Sequence, residues 1–231
     1  MSELFDEVES YDDMLQRGLS LSGESKEFFI RGRLEHLRRR LGDRRVSERE
    51  APTRILDFGC GVGDAAGVLA EEFPGASVVG VDVAEAAVQK ANATRSSERV
   101  AFGTPVLLDG AEPFDLCYVN GAFHHIAADD RAQVMRTLYA ALRPGGVLAV
   151  FENNPWSIPA RLVMRRIPFD ADAVMLRPAE VARLARNAGF TDVLRPRYLF
   201  VFPRALRSLR GIENALEAAP IGAQYAVLCV H

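Results

Sequence analysis

The chain has 231 residues, of which 48% are hydrophobic, and its formal net charge at pH 7 is −3. This much apolar material is enough for one full-sized core, and the charge excludes a global basic field for nucleic acid. No apolar run reaches the ~18–20 residues that span a bilayer, and the acidic N-terminal residues show no signal-peptide pattern. The three cysteines have no metal-ligand spacing. We therefore expect a cytoplasmic protein without a metal site.

Residues 1–50 are polar and helical in pattern, without strand-like runs. Apolar residues recur there at steps of three and four, which gives one apolar helix face formed by Phe28, Phe29, Leu34, Leu37 and Leu41. Gly42 is a typical helix stop. We predict that residues 1–50 form an N-terminal helical lid on a domain that comprises residues 51–231.

From Arg54 onwards, short apolar segments alternate with helical ones. The predicted strands cover residues 54–58, 77–82, 100–102, 114–120 and 146–152, and the predicted helices lie near 65–73, 84–94 and 129–142. Such alternation implies right-handed crossovers and a parallel sheet with helices on both faces.

The last third of the chain continues with a predicted helix at 178–189. Two further strands, at 193–202 and 224–230, are separated by a predicted helix near 205–218. Residues 155–177 lie between the fifth strand and the next helix, and we predict that they form a cap insertion. Insertions at this position commonly cover an active site and select its substrate.

The most informative segment is the glycine-rich turn that follows the first strand. Glycine occupies every second position after Asp57, at Gly59, Gly61 and Gly63. Glycines allow a sharp turn and a close approach of the backbone to a ligand. The second strand ends at Asp82, whose carboxylate can accept both hydroxyls of a ribose. Together these residues predict a nucleoside-binding crevice.

The glycine spacing distinguishes between two cofactors. The dinucleotide fingerprint G-x-G-x-x-G needs its third glycine where this chain has Asp64. A carboxylate at a helix N-terminus opposes an incoming pyrophosphate. Asp57 adds a second negative charge, which suits a ligand that carries an ammonium or sulfonium group. A nicotinamide cofactor is therefore disfavoured.

Residues 56–63, in which the pattern D-x-G-x-G-x-G follows a strand, resemble the first motif of class I S-adenosylmethionine-dependent methyltransferases. The resemblance covers about residues 53–231. It implies a Rossmann-like α/β fold, with a seven-stranded and mostly parallel sheet in a three-layer sandwich and an N-terminal helical cap. It also implies that S-adenosylmethionine is bound by Asp57, Gly59, Gly61, Gly63, Asp82, Thr104, Asn120 and Gly121.

The family pattern assigns a role to each of these residues. Asp57 would hold the positive end of the cofactor, and Asp82 would take the ribose hydroxyls. Thr104, in the loop after the third strand, would border the adenine. The backbone of Asn120 and Gly121, at the end of the fourth strand, would accept the methionine amino group. The last two strands would form a hairpin-like edge with one strand antiparallel to the rest.

His124 and His125 follow the fourth strand, at the edge of the sheet where ligands bind in open α/β folds. Methyl transfer to a hydroxyl or ammonium group requires an aligned acceptor and a base. Histidine, with a pKa of about 6.5, suits that task. We expect one of the two to act as the base or to position the acceptor. The alternative is that one packs under the cofactor and the other caps the next helix.

Tyr11 is a further candidate catalytic residue. Residues 11–23 resemble the N-terminal lid segment of phosphoethanolamine methyltransferases, in which a tyrosine pairs with a histidine just after the fourth strand. The resemblance implies that Tyr11 is part of the acceptor site. The alternative is an aromatic side chain that only seals the lid.

Four residues at the end of the fifth strand are predicted to line the acceptor pocket, namely Glu152, Asn153, Asn154 and Trp156. The alternative is a structural turn in which Trp156, the only tryptophan, fills the core of the cap. The run from Asn153 to Trp156 also resembles the N-P-P-Y signature of nucleic-acid amino methyltransferases. That signature belongs after the fourth strand, and nothing else in the chain argues for extrusion of a base.

The sequence therefore predicts an enzyme that moves the methyl group of S-adenosylmethionine to an oxygen or nitrogen of a small molecule, such as a metabolite, a natural product or a sugar intermediate. We expect no nucleic-acid partner, no stable membrane insertion, and a monomer or homodimer. The alternatives are a non-catalytic S-adenosylmethionine-binding protein, a macromolecule methyltransferase of the same fold and, more remotely, a nicotinamide oxidoreductase.

Overall fold

The computed structural model describes residues 22–42, 51–166 and 173–231. The helices in these ranges are α1 (Lys26–Leu41), α2 (Asp64–Glu72), α3 (Glu85–Arg95), α4 (Arg131–Ala141), α5 (Ile158–Met164), α6 (Pro178–Ala188) and α7 (Glu213–Leu216). The strands are β1 (Arg54–Phe58), β2 (Ser77–Val81), β3 (Val100–Gly103), β4 (Phe114–Asn120), β5 (Leu142–Asn153), β6 (Asp192–Val193), β7 (Arg197–Leu199) and β8 (Gln224–Val230). Short 3₁₀ helices occur at Pro105–Leu108, Phe123–His125 and Arg204–Ile212.

One sheet holds these strands in the order β3-β2-β1-β4-β5-β8-β6, and β7 also pairs with β8. Strands β1 to β5 pair in parallel, whereas β8 is antiparallel to β5. The predicted Rossmann-like, mostly parallel sheet is therefore confirmed, and its antiparallel strand β8 lies between β5 and the pair β6 and β7.

The predicted sixth strand, at 193–202, is divided in two in the structure. Pro196 lies between β6 and β7. Proline has no backbone N–H to donate to a neighbouring strand, so it interrupts the pairing with β8. The sheet consequently has eight strands among the described residues rather than the seven predicted.

The sheet is buried on both faces, which explains why its strands are nearly continuous apolar runs. Side chains alternate between two core clusters, so that Ile55 belongs to one and Leu56 to the other. Helices α1, α2 and α3 cover the Ile55 face, and α4 and α6 cover the opposite face. This is the predicted three-layer sandwich.

Helix α1 lies within the predicted lid, and its apolar face is part of the first core cluster. Leu34 and Leu37 are fully buried there, together with Ile55 and Leu69. Residues 1–21 and 43–50, which make up most of the predicted lid, lie outside the described residues. The boundary between lid and domain at residue 50 stays a prediction.

The amino-terminal edge of the parallel strands is fastened by a buried carboxylate, Asp115 of β4. Its Oδ2 accepts hydrogen bonds from the Thr53 N–H (2.6 Å), the Thr53 hydroxyl (2.8 Å) and the Arg54 N–H (2.8 Å). The Arg143 guanidinium lies 2.6 Å from Oδ1. Asp115 thus joins the start of β1 to β4 and β5.

In the parts of the chain that are described, no helix is both long and apolar enough to cross a bilayer.

Candidate active site

The glycine-rich turn connects β1 to α2 at the carboxyl edge of the sheet. Gly59, Gly61 and Gly63 all have positive φ, at 73°, 53° and 82°, a conformation that side chains with a Cβ rarely adopt. A Cβ on Gly59 would lie 2.7 Å from Ala122, and one on Gly63 would lie 2.6 Å from Phe102. A Cβ on Gly61 would meet nothing within 4 Å. The turn therefore packs tightly at Gly59 and Gly63, and it opens onto a cavity at Gly61.

Asp82 fastens this turn to the end of β2. Its Oδ2 accepts the Gly61 N–H at 2.8 Å, and its Oδ1 accepts the Ala84 N–H at 2.9 Å. The Gly59 N–H also donates to the Val81 carbonyl at 2.8 Å. The carboxylate that was predicted to bind a ribose therefore also sets the shape of the glycine turn.

Asp57, at the end of β1, is a buried carboxylate that faces the cavity. It is 2% exposed, and among the described residues its Oδ2 has no hydrogen-bond donor. Burial and, to a lesser degree, the nearby Asp82 and Asp64 carboxylates together raise its pKa to about 7, although Arg33 lowers it.

Asn120 repeats this pattern at the end of β4. Its Oδ1 is buried, lines the same cavity and has no donor within the described part of the chain. Buried acceptors without donors are costly and rare in folded proteins. Asp57 and Asn120 therefore fit a ligand that brings N–H groups and positive charge, such as the methionine ammonium of S-adenosylmethionine.

The cavity beside these residues has a volume of about 510 Å³, within the range of ~300–1,000 Å³ typical of small-molecule sites. The predicted site residues that line it are Asp57, Gly59, Gly61, Asn120, Gly121, His124, His125 and Asn153. Those in the described ranges that do not line it are Gly63, Asp82, Thr104, Glu152, Asn154 and Trp156. Tyr11 lies outside the described residues.

Glu152 holds a histidine rather than lining the cavity. Its side chain is 1% exposed; Oε1 accepts the Phe123 N–H at 2.8 Å, and Oε2 lies 2.5 Å from His124 Nδ1. A carboxylate only accepts hydrogen bonds, so this contact places the proton of the imidazole on Nδ1 and makes Nε2 the proton-accepting nitrogen. The His125 ring lies beside it, with 4.3 Å between ring centroids.

Asn154 is also directed away from the cavity. It is fully buried, and its Nδ2 donates to the carbonyls of Gly222 (2.8 Å) and Pro220 (3.1 Å), while its Oδ1 accepts the Trp156 N–H. Trp156 itself is 52% exposed. Side chains alternate along an extended strand, so Glu152 and Asn153, the last two residues of β5, face opposite sides of the sheet. The four predicted pocket residues therefore cannot share one wall.

Sequence reasoning missed much of the cavity wall. Two charged residues come from α1: Lys26 lies 2.5 Å from Asp64, and the buried Arg33 donates to the Tyr118 hydroxyl at 3.0 Å. Arg33 also donates to Gln224 Oε1 at 3.0 Å. An apolar part of the wall comes from α1, α5 and residues 200–203. No spacing rule connects segments so distant in the chain. The available signals were the apolar periodicity of α1 and the predicted cap insertion at 155–177, which contains α5.

Comparison with known proteins agrees with this geometry. A family model described as a methyltransferase domain matches residues 56–148, from the glycine turn to the middle of β5. Trans-aconitate 2-methyltransferase of Methylobacterium radiotolerans is 31% identical over 152 residues, which cover 64% of this chain and 58% of that protein. Demethylmenaquinone methyltransferase of Thermus thermophilus is 34% identical over 159 residues, covering 66% of this chain and 65% of that protein.

The chain thus spans a little under two thirds of the length of these curated relatives. Among solved structures, a Thermotoga maritima protein described as an S-adenosylmethionine-dependent methyltransferase, possible histamine N-methyltransferase, aligns with a TM-score of 0.66 at 18% identity. That alignment covers 100% of this chain and 99% of the other, and at this identity it shows the fold alone. The family match and the curated relatives show a methyltransferase domain in residues 56–148, and the whole chain has the fold of S-adenosylmethionine-dependent methyltransferases.

Proposed function

We propose that this protein transfers the methyl group of S-adenosylmethionine to an oxygen or nitrogen of a small molecule. The observation that carries the proposal is that Asp57 and Gly61 line the same part of the cavity. A buried carboxylate without a donor lies beside a turn that leaves open space above its central glycine. This arrangement suits a ligand that approaches the backbone closely and carries positive charge.

The remaining cofactor contacts follow the carboxyl edge of the sheet. Asp82 already accepts two backbone N–H groups, but a carboxylate has about four acceptor sites, so it can still take the ribose hydroxyls. Beyond it, two apolar side chains are exposed: Val83 follows β2, and Val106 belongs to the 3₁₀ helix Pro105–Leu108 that follows β3. We infer that the adenine lies against them, with Thr104 at its border.

The methyl group moves in one displacement. The carbon–sulfur bond breaks as the bond from carbon to the acceptor atom forms, and the sulfur keeps the electron pair. The acceptor must lose its proton, which we assign to Nε2 of His124, because Glu152 holds Nδ1. His125 lies beside it in the cavity wall and can position the acceptor. Tyr11 stays a candidate contributor from the lid.

We infer that the acceptor is a small molecule and not a nucleic acid or another macromolecule. The formal charge of −3 gives no general attraction for a polyanion, and the relatives carry the names of enzymes that act on trans-aconitate and demethylmenaquinone. We also propose a cytoplasmic protein that works as a monomer or homodimer.

Isothermal titration calorimetry with S-adenosylmethionine, S-adenosylhomocysteine and NAD tests this function. The wild-type protein should bind the first two and not NAD. Gly61→Val should weaken their binding at least a hundredfold, because its side chain would fill the open space above the turn. Gly67→Ala on α2, where an added Cβ also meets nothing within 4 Å, is the matched control and should bind normally.

Binding of NAD without binding of S-adenosylmethionine would overturn the proposal in favour of an oxidoreductase. Binding of S-adenosylmethionine without methyl transfer to any member of a broad acceptor panel would instead favour the non-catalytic alternative. Circular dichroism of Gly61→Val shows whether that variant is folded.

A further inference from the structure

The cavity has a second half, remote from Asp57, that differs in chemistry from the first. We call it the apolar wall and define it by Phe28, Phe29, Ile158, Leu162, Phe200 and Ile221. Its aromatic members pack on one another: ring centroids are 4.9 Å apart for Phe29 and Phe200, and 5.3 Å apart for Phe28 and Phe29. This half offers a rigid apolar surface and few groups that could recognise a polar ligand.

The charged residues in the cavity wall are mostly engaged with one another or with the protein. Lys26 pairs with Asp64 at 2.5 Å, and Glu24 pairs with Arg210 at 2.7 Å. Arg33 donates to two neutral groups, as described above. Asp64 also pairs with Arg95, so the Glu24 and Asp64 carboxylates in the wall are already matched by cations. Of the lining cations in the described ranges, Lys26 is held by Asp64, and Arg33 by Tyr118 and Gln224. An acceptor with several carboxylates would therefore find no group of cations that could bind all of them.

The mouth of the cavity is apolar as well. Ile158, Leu162 and Ile221 belong to the apolar wall, yet their exposed fractions are 69%, 47% and 53%. Large apolar side chains that line a cavity and also meet solvent gain most from a ligand that covers them. They lie on α5 and in the segment before β8, at the open side of the cavity.

We propose that the methyl acceptor is an uncharged, largely apolar molecule with one reactive hydroxyl or amine group. The apolar wall holds its hydrocarbon part, so that the polar end lies beside His124 and His125. This inference rests on the proposed methyl transfer and names the substrate class of the same cavity. It separates the chain from its relatives named for trans-aconitate, a tricarboxylate that this wall does not match.

A homologous series of 4-alkylphenols, from methyl to octyl, tests the acceptor class on protein saturated with S-adenosylhomocysteine. The fluorescence of Trp156, the single tryptophan, reports binding because it precedes the segment that forms the mouth. Affinity should rise about fourfold for each methylene that enters the apolar wall. Trans-aconitate and citrate should give no saturable change.

Charge substitutions at the mouth test whether the apolar wall binds the phenol, and the same substitution outside the cavity is the control. Ile158→Glu and Leu162→Glu should each weaken octylphenol binding at least tenfold and leave the affinity for S-adenosylhomocysteine unchanged. Ile212→Glu, at a residue that is 54% exposed but does not line the cavity, should change neither.

The outcomes separate the two proposals. Affinity that does not depend on chain length, or tighter binding of trans-aconitate than of octylphenol, would overturn the apolar acceptor. If the wild-type protein does not bind S-adenosylhomocysteine, methyl transfer itself is overturned, regardless of how the alkylphenols bind. Equal octylphenol binding by wild type and by both mouth variants would show that the phenols bind elsewhere, which also overturns the inference.

Discussion

Two aspartates on neighbouring strands, Asp115 of β4 and Asp57 of β1, are both buried, yet they lie at opposite edges of the sheet and in opposite surroundings. Asp115 receives three hydrogen bonds and an arginine. Asp57 has no donor on its Oδ2 among the described residues and lies near two other carboxylates. Asp115 is thus satisfied by the protein itself, whereas we propose that a ligand supplies the missing donor to Asp57.

The pKa values of the two side chains differ accordingly. Burial alone would raise the pKa of Asp115, but the donors of Thr53 and Arg54 and the charge of Arg143 outweigh it and lower the pKa. Its contribution to stability is present above its unfolded pKa and is lost as the pH falls through the lowered value. For Asp57 the folded pKa is raised to about 7, so its cost to stability grows as the pH rises from about 4 to about 7.

The largest expected effect tests the structural side of this comparison. Asp115→Ala should lower the free energy of unfolding by about 3 kcal/mol, because it leaves the Thr53 and Arg54 N–H groups without their acceptor and Arg143 without its partner. Urea denaturation at pH 7.5 measures it.

The folded fraction of Asp115→Ala should bind S-adenosylhomocysteine as the wild type does, because Asp115 does not line the cavity. A loss of stability below about 1 kcal/mol would contradict the structural role of Asp115. A loss of affinity without a loss of stability would contradict the restriction of ligand binding to the carboxyl edge.

A smaller effect is expected at the other aspartate. The affinity of the wild-type protein for S-adenosylhomocysteine, whose α-ammonium stays charged, should rise about tenfold between pH 6 and pH 8 as Asp57 loses its proton. Asp57→Asn should bind about tenfold more weakly at pH 8 and show little of this pH dependence. Calorimetric titrations at several pH values measure both.

Asp57→Asn should not lower the stability of the ligand-free protein at pH 8, because it removes a buried charge that lacks a donor. A strong loss of stability in this variant would mean that Asp57 is structural, as Asp115 is. An unchanged pH dependence would show that another group governs binding.

The smallest expected effect concerns Glu152, the second buried carboxylate of the carboxyl edge. Glu152→Gln keeps the volume and can still accept the Phe123 N–H, so the free energy of unfolding should fall by only about 1 kcal/mol. An amide can donate to His124 Nδ1, which would move the ring proton to Nε2 and remove the base. Nitrogen-15 NMR of the histidine rings reports this tautomer directly.

The tautomer of His36, which contacts Glu217 and not Glu152, serves as the internal control. Methyl transfer by Glu152→Gln should fall in kcat while the affinity for S-adenosylhomocysteine is retained. An unchanged His124 tautomer, with unchanged kcat, would leave Glu152 without a positioning role.

Local patterns were sufficient to predict the sheet and the meeting of the glycine turn with Asp82 at its carboxyl edge. The glycine turn and Asp82 belong to one β-α-β unit, in which spacing along the chain fixes position in space. The division of the sixth strand could also have been predicted, because Pro196 cannot donate to the ladder. The opposite directions of Glu152 and Asn153 follow from the alternation of β5, which extends to Asn153 rather than ending at residue 152.

The apolar wall could not be predicted in this way. Its residues come from α1, α5 and the segment around Phe200, and only the packing of the sheet brings them together. The apolar periodicity of α1 indicated one buried face. It did not indicate that Phe28 and Phe29 meet Phe200, or that Arg33 reaches across to Tyr118.

Arg33 spans 191 positions of the chain to reach Gln224, whereas the residues that shape the glycine turn are separated by little more than twenty. The glycine turn is therefore encoded in one compact stretch, and the apolar wall in scattered ones. Under the proposed function, substitutions of apolar-wall residues in α5 would alter which acceptors bind without contact with the glycine turn, so a lineage built on this scaffold could change its substrate while it conserves its chemistry.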